Sequence, residues 1–339
     1  MFRALQLGDL LCSVPALRAL RAGYPDAHVT LIGLPWARVL IERYPALLDD
    51  FIAFPGAPGL PEREADLAAA AGFAAPVRER GFDLLLQMHG SGGVTNPLLE
   101  TWGARRLVGF HTAPDAVDDR RCYLAWDEHE SEVLRQLRLA VAAGGMSRGT
   151  ALEWPVMAQD RREATALVGA VDRDYACLHP GARYPSRRWP VERFAAVADA
   201  LARRGYRVVI TGTEDERPLT QALAARIPHP VIDLTGRTTL GSLAAVVAGA
   251  RLVVCNDTGL SHLAVAVGTP SVVVSSGSDV ARWRPLDALR HRTLAHAPAC
   301  RPCMHTVCPT GHECALAITV EQVLETVSTL SLRNAAHGA

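Results

Sequence analysis

At 339 residues the chain exceeds what one hydrophobic core usually serves, so two domains of roughly 150 residues are expected and a small disulfide scaffold is excluded. Hydrophobic residues at 49% and charged residues at 21% are values of a folded protein, and 35 basic against 35 acidic side chains leave no net field to hold a nucleic acid. All 35 basic side chains are Arg, which excludes a Schiff-base lysine, a Walker A phosphate loop and a protein-kinase strand lysine in their usual forms.

In chain order, apolar spacing predicts a strand over Phe2 to Leu7, then a helix carrying Leu10, Leu11, Val14, Leu17 and Leu20 that stops near Gly23. A strand over His28 to Ile32 and helices over Pro35 to Tyr44 and Ala65 to Glu79 come next. A strand over Phe82 to Gln87, a helix ending near Trp102 and a strand over Arg106 to Phe110 complete the first half. Residues 145 to 160, with Gly145, Gly149 and Pro155, lose periodicity and read as a linker. The rhythm then restarts with a strand over Tyr175 to His179, a helix over Val191 to Arg204 stopped by Gly205, and a strand over Tyr206 to Thr211. Leu240 to Ala248 is predicted helical, Arg251 to Cys255 a strand, Leu260 to Val267 a helix and Ser271 to Ser275 a strand. A last amphipathic helix covers Ile318 to Leu330, and the tail beyond it reads as frayed. Repetition of βαβ units marks parallel sheets covered on both faces, so the fold class is α/β with two doubly wound domains in tandem. In such an arrangement chemistry is sought in a cleft, at the carboxyl ends of the strands.

No apolar run reaches the ~18 to 20 residues of a membrane span, and Asp9 interrupts the apolar stretch at the N-terminus. Cys12, Cys122, Cys177 and Cys255 stand singly, mostly beside apolar residues, as reduced thiols do. The expectation is a cytoplasmic protein.

Three strand-end segments and a cysteine-rich loop carry candidate chemistry. Gly8-Asp9 lies between the first strand and first helix, where Asp9 is either a helix cap or a general base. Asn256-Asp257-Thr258-Gly259-Leu260-Ser261-His262 follows a strand and opens a helix, offering free N–H groups and the positive dipole end to a diphosphate. The plain alternative is that Asp257 and Thr258 are caps and His262 a half-buried core histidine. His179-Pro180-Gly181-Ala182-Arg183 through Ser186-Arg187-Arg188-Trp189-Pro190 also runs from a strand into a helix, and its three arginines either clamp phosphate oxygens or form a solvated face. Cys300, Cys303, Cys308 and Cys314, with His305 and His312 among them, make a zinc site, a disulfide-forming loop or a set of free thiols. The acidic triplet Asp172-Arg173-Asp174 precedes rather than follows its strand, so a metal role there has little support.

Read together, Leu7-Gly8-Asp9-Leu10-Leu11 with Pro15-Ala16-Leu17-Arg18-Ala19-Leu20, His179-Pro180-Gly181-Ala182, Arg187-Arg188-Trp189-Pro190 and Asp257-Thr258-Gly259-Leu260-Ser261-His262-Leu263-Ala264 resemble glycosyltransferase family 9, the ADP-heptose:lipopolysaccharide heptosyltransferases. The likeness covers nearly the whole chain in order, and Cys300-x-Pro302-Cys303, Cys308-Pro309-x-Gly311-His312 and Ile318-Thr319 are similar to the C-terminal segment of heptosyltransferase II-like members. The resemblance implies a GT-B fold of two Rossmann-like domains. Residues 1–155 would bind the acceptor and 156–320 the nucleotide sugar, and the helix over 318–330 would cross back to the first domain. It also implies an inverting transfer without metal or other cofactor, from ADP-heptose to a lipopolysaccharide-core or other glycan, with transient contact at the inner membrane surface.

By the same resemblance Asp9 is the base, and Asp257, Thr258, Gly259 and His262 surround the diphosphate and the heptose. Arg187 stands where the family usually has Lys and is the second catalytic candidate. Gly8, His179, Gly181, Arg183, Ser186 and Arg188 are the further substrate contacts. The chain departs from the pattern at Ser275-Ser276-Gly277-Ser278-Asp279, where an aromatic residue and a Gly-Pro-Thr-type turn are usual. Its first strand is also short, which raises a start upstream of Met1. The rival functions are a sugar-nucleotide 2-epimerase and a non-catalytic nucleotide-sugar binder.

Overall fold

A computed structural model describes residues 1–113, 120–169 and 174–330. The chain divides into two compact units, Met1–Ala151 and a second that begins at Leu152, within the predicted linker and just ahead of the expected boundary at 155.

The first unit contains α1 (Leu7–Cys12), α2 (Val14–Gly23), β1 (Thr30–Gly33), α3 (Val39–Arg43), β2 (Asp50–Ala53), α4 (Leu67–Glu79), β3 (Leu84–Leu86), α5 (Thr95–Glu100), β4 (Arg106–His111), β5 (Arg121–Ala125) and α6 (Glu132–Ala142). All its pairings are parallel, β1 with β2 and β4 with both β3 and β5. Phe2 bridges Ile32 on one side and Gln87 on the other, so a single residue stands where the central strand belongs. Its ring is fully buried and meets Phe54 and Trp102 edge-on at centroid distances of 5.0 and 5.3 Å, the arrangement the ring quadrupole favours.

The predicted strand over Phe2 to Leu7 is therefore corrected: it shrinks to one bridging residue and a helix begins at Leu7. Arg3 is fully buried and turns inward, donating to the Asp9 carbonyl at 2.8 Å, to the Met88 carbonyl and to the Glu132 carboxylate at 2.9 Å. Asp9 Oδ2 accepts the Gln6 N–H at 3.3 Å, satisfying a free donor at the start of α1.

The second unit contains α7 (Ala158–Val168), β6 (Tyr175–His179), α8 (Val191–Arg203), β7 (Arg207–Ile210), α9 (Arg217–Ala224), β8 (Val231–Asp233), α10 (Leu240–Gly249), β9 (Leu252–Asn256), α11 (Gly259–Ala266), β10 (Ser271–Ser275), α12 (Val280–Trp283), β11 (His291–Ala295), α13 (Glu313–Leu316) and α14 (Val320–Thr329). Its strands form one parallel sheet in the order β11-β10-β9-β6-β7-β8. Strands β9 and β10 are buried along their whole length, which is why they read as unbroken apolar runs rather than alternating ones. Leu178, Phe194, Val254 and Val274 fill the core beneath them.

Helix α14 starts at a Thr319/Gln322 capping box and buries Val323 and Val327 in that same core, beside α8. Its apolar stripe thus packs into the core of its own unit. Asp172 and Arg173 of the acidic triplet lie outside the described residues, as does the chain after 330. Asp174 pairs with Arg251 at 3.6 Å.

Candidate functional site

After β6 the chain of the second unit builds β7 and β8 to one side, then returns to place β9 on the other side of β6. The carboxyl ends of β6 and β9 therefore form the topological switch point, where departing loops diverge and leave room for a ligand. His179 ends β6 opposite Cys255 of β9, so Pro180-Gly181 and Asp257-Thr258 leave the sheet side by side.

Asn256, fully buried at the end of β9, joins these loops. Its Oδ1 accepts the Trp189 N–H at 2.9 Å and its Nδ2 donates to the Pro180 carbonyl at 2.7 Å. Thr258 is the N-cap of α11, accepting the Leu260 N–H at 3.3 Å, and Gly259 opens the helix. The cap reading of Thr258 is thus realised, and the remaining N–H groups of the first turn are the donors an anion would find. Asp257 Oδ2 accepts from Ser275 Oγ at 3.2 Å and from Ser278 Oγ. His262 is only 4% exposed and packs edge-on to Trp283 at 6.0 Å, so its ring lies within the structure behind the helix start.

The arginine loop is braced by its own cations. Arg187 donates to the carbonyls of Ser276, at 3.2 Å, and Cys303. Arg188 donates through Nε and Nη2 to the Ala182 carbonyl at 3.0 and 2.9 Å. Arg183 is exposed, with its guanidinium 5.3 Å over the Tyr184 ring. Ser186, expected on the substrate, is buried instead: its hydroxyl donates to the His305 carbonyl, its N–H to Thr306 at 3.1 Å, and its carbonyl accepts from His312 Nε2 at 2.9 Å.

His179 Nδ1 lies 3.1 Å from Thr211 Oγ1, and burial holds its pKa below the ordinary value against the pull of the Glu216 carboxylate. A Cβ on Gly181 would fall 2.0 Å from Glu216 Oε1, so this turn is built around the missing side chain.

The four clustered cysteines, with His305 and His312, line a cavity of about 30 Å³. All are free thiols, and among the described residues no group of three or more His, Cys, Asp or Glu is arranged to hold a metal ion. Of the three readings of this loop, neither the zinc nor the disulfide geometry is present. Its observed work is to hold neighbouring segments: the carbonyls of Cys303 and His305 receive Arg187 and Ser186.

Gly8 and Asp9 belong to the first unit, in the first turn of α1 rather than in a loop. Besides capping Gln6, the Asp9 carboxylate has Oδ1 3.8 Å from Arg3 Nη2, and its side chain is 19% exposed. Arg3 and Arg301 are residues that sequence reasoning missed, while Asn256, Ser275 and Ser278 enter it only as parts of their segments, with no role of their own. The signal for Asn256 was a polar residue closing an otherwise apolar strand, and Arg301 sat inside the cysteine loop.

Two parallel α/β units, the second with a helix start and an arginine loop at its switch point, are the GT-B class of fold. The chain belongs to glycosyltransferase family 9 (heptosyltransferase), whose family model matches residues 71–313. Lipopolysaccharide heptosyltransferase 2 of Escherichia coli K12 is 25% identical over 97% of this chain and 97% of its own length. Lipopolysaccharide heptosyltransferase 3 of Escherichia coli is 32% identical over 40% of this chain, a match that spans only 41% of that protein. Among solved structures, the family 9 glycosyl transferase of Veillonella parvula superposes with a TM-score of 0.80 at 23% identity, covering 97% of this chain and 95% of that one. E. coli ADP-heptose LPS heptosyltransferase II gives 0.72 at 20% identity, with 96% of each chain covered.

Proposed function

We propose that this protein is an inverting, metal-independent glycosyltransferase that moves a heptose from ADP-heptose to a hydroxyl of a lipopolysaccharide-core or other glycan acceptor. One observation carries the reading: in a family 9 chain, the α11 helix start, the Arg187-Arg188 loop and the Asp257 carboxylate converge on one switch point. A diphosphate needs the first two, and a polyhydroxylated sugar suits the third. The solved relative described as an ADP-heptose heptosyltransferase supports the donor.

In this proposal the first unit receives the acceptor and the second the nucleotide sugar. Asp9 takes the proton of the acceptor hydroxyl as that oxygen attacks the anomeric carbon, and the bond from that carbon to the diphosphate breaks with its electron pair going to ADP. Arg187, Arg188 and the α11 dipole stabilise the charge that develops on the leaving group. His179 and Gly181 supply a neutral side chain and a close backbone approach beside it. Attack opposite the departing group inverts the anomeric centre. No helix among the described residues is long and apolar enough to cross a membrane; in this proposal a lipid-linked acceptor is met by transient contact with the inner leaflet.

The test is product analysis with purified protein, ADP-heptose and a heptose-deficient core acceptor, reading mass and anomeric configuration. A heptosylated acceptor of inverted configuration is expected. Conversion of the nucleotide sugar without any acceptor would instead make the protein an isomerase and overturn the proposal.

A further inference from the structure

We infer that Arg301 is a positioning residue for Asp257, acting through Ser275 and Ser278, and that this relay presents one oxygen of Asp257 to a hydroxyl of the donor sugar. The inference rests on the reading of this site as a nucleotide-sugar site.

Arginine has donors and no acceptor, which fixes the direction of the relay. Arg301 donates to Ser275 Oγ at 2.8 Å, to the Ser275 carbonyl at 2.8 Å, to the Ser278 carbonyl at 2.9 Å and to the His296 carbonyl at 2.7 Å. With an Arg301 N–H on its oxygen, the Ser275 hydroxyl has its own hydrogen to give, and Asp257 Oδ2 lies 3.2 Å away. Ser278 gives its hydroxyl hydrogen to the same Oδ2, and the two serine oxygens are 2.9 Å apart. Oδ2 is thereby served twice, while nothing among the described residues hydrogen-bonds Oδ1.

The charge pattern then selects the partner of Oδ1. A carboxylate next to a helix start that attracts phosphate repels the phosphates themselves, so Oδ1 must face the part of the ligand that donates hydrogen bonds. In a nucleotide sugar those donors, on the side away from the base, are the sugar hydroxyls. Asp257 is half-buried, and an acceptor held in one orientation and covered by the bound sugar discriminates hydroxyl stereochemistry strongly, because the wrong isomer leaves it unpaired. The relay is built from the stretch that departs from the family pattern, Ser275 to Ser278, together with a residue of the cysteine loop. That loop therefore reaches Asp257 through Arg301 and the two serines.

The experiment compares ADP with ADP-heptose. Binding of each is measured by titration calorimetry, and transfer by steady-state kinetics, for the unaltered protein and for Ser278→Ala, Ser278→Thr and Arg301→Lys. Ser278→Ala is expected to keep ADP affinity within about twofold and to lose ~10- to 100-fold in kcat/KM for ADP-heptose, the range for a hydrogen bond to a charged group. Ser278→Thr, which retains the hydroxyl, restores most of that loss. Arg301→Lys keeps the charge but cannot serve both serines in the same fork, and shows the same split between ADP and ADP-heptose. Equal loss on ADP and ADP-heptose makes the relay merely structural and overturns the inference, as does no loss at all. If the unaltered protein neither binds ADP nor transfers heptose, the proposed function fails and the relay falls with it. If it does both while Ser278→Ala and Arg301→Lys match it, the relay alone fails.

Discussion

Asn256 holds Trp189 by its backbone: the Trp189 N–H reaches Asn256 Oδ1 at 2.9 Å while the same side chain donates to the Pro180 carbonyl at 2.7 Å. One fully buried amide thus ties both ends of the loop that carries Arg183, Arg187 and Arg188 to the end of the strand that Asp257 follows. Trp189 in turn donates from its ring nitrogen to the Ile318 carbonyl at 3.0 Å, anchoring the loop to the segment before α14.

Asn256→Ala strands a buried N–H and a buried carbonyl, each costing about 1–3 kcal/mol when unpaired. The expected result is a destabilisation of roughly 2–6 kcal/mol, together with weaker ADP binding. Urea denaturation beside calorimetry reads both, and a variant with the stability of the parent contradicts the clamp.

Asp9→Asn keeps an oxygen to accept the Gln6 N–H, so the cap survives and stability should move by less than the ~0.5–2 kcal/mol of a lost cap. Turnover should fall by roughly 10² to 10⁴, the usual contribution of a general base. Near-parental turnover would leave Asp9 as a cap alone.

Glu132 lies between two fully buried guanidiniums, accepting from Arg3 at 2.9 Å and Arg135 at 2.5 Å. Glu132→Gln removes the carboxylate nearest both, leaving Arg3 with Asp9 at 3.8 Å and Arg135 with the more distant Glu130 at 3.9 Å as counter-charges. Up to about 3–5 kcal/mol of stability should be lost, the range for removing one partner of a buried ion pair. Because Arg3 also holds the Asp9 carbonyl, the variant should lose turnover even where it remains folded. Denaturant midpoints and rates of the folded fraction check this.

His291 is buried, with Nδ1 2.9 Å from Ser271 Oγ, and desolvation takes its pKa down to about 4 from 6.5. Between these values the unfolded chain binds more protons than the folded one, so this histidine's contribution is complete above pH 6.5 and is lost as pH falls toward 4. The loss amounts to about 3 kcal/mol at most. His291→Gln, which does not titrate, should flatten that part of the stability profile.

Chelator should leave transfer intact, because in the proposed reaction the diphosphate charge is carried by Arg187, Arg188 and the start of α11. Rates measured with and without EDTA, then with added magnesium or manganese, decide it. Loss on chelation with recovery on metal addition would reject the metal-independent route.

Strands buried on both faces were legible in the sequence: Tyr175 to His179 and Ser271 to Ser275 have the bounds their apolar runs predict, because nothing polar interrupts a strand with helices above and below it. The half-exposed edge strands β5 and β8 carry no such run and went unread. The loops that leave the central strands were legible too, since Gly181, Thr258 and Gly259 announce turns and helix starts in their own local chemistry. What periodicity and local propensity do not record is which loop meets which. The first strand was overread because Arg3 looks like any residue of an apolar run until Glu132, 129 positions away, is seen to receive it. Asn256 meets Pro180 across 76 positions, and Arg301 meets Ser275 across 26. Such polar pairings form only once the strands are ordered in their sheet, because a buried donor takes whichever acceptor the completed fold brings within about 3 Å.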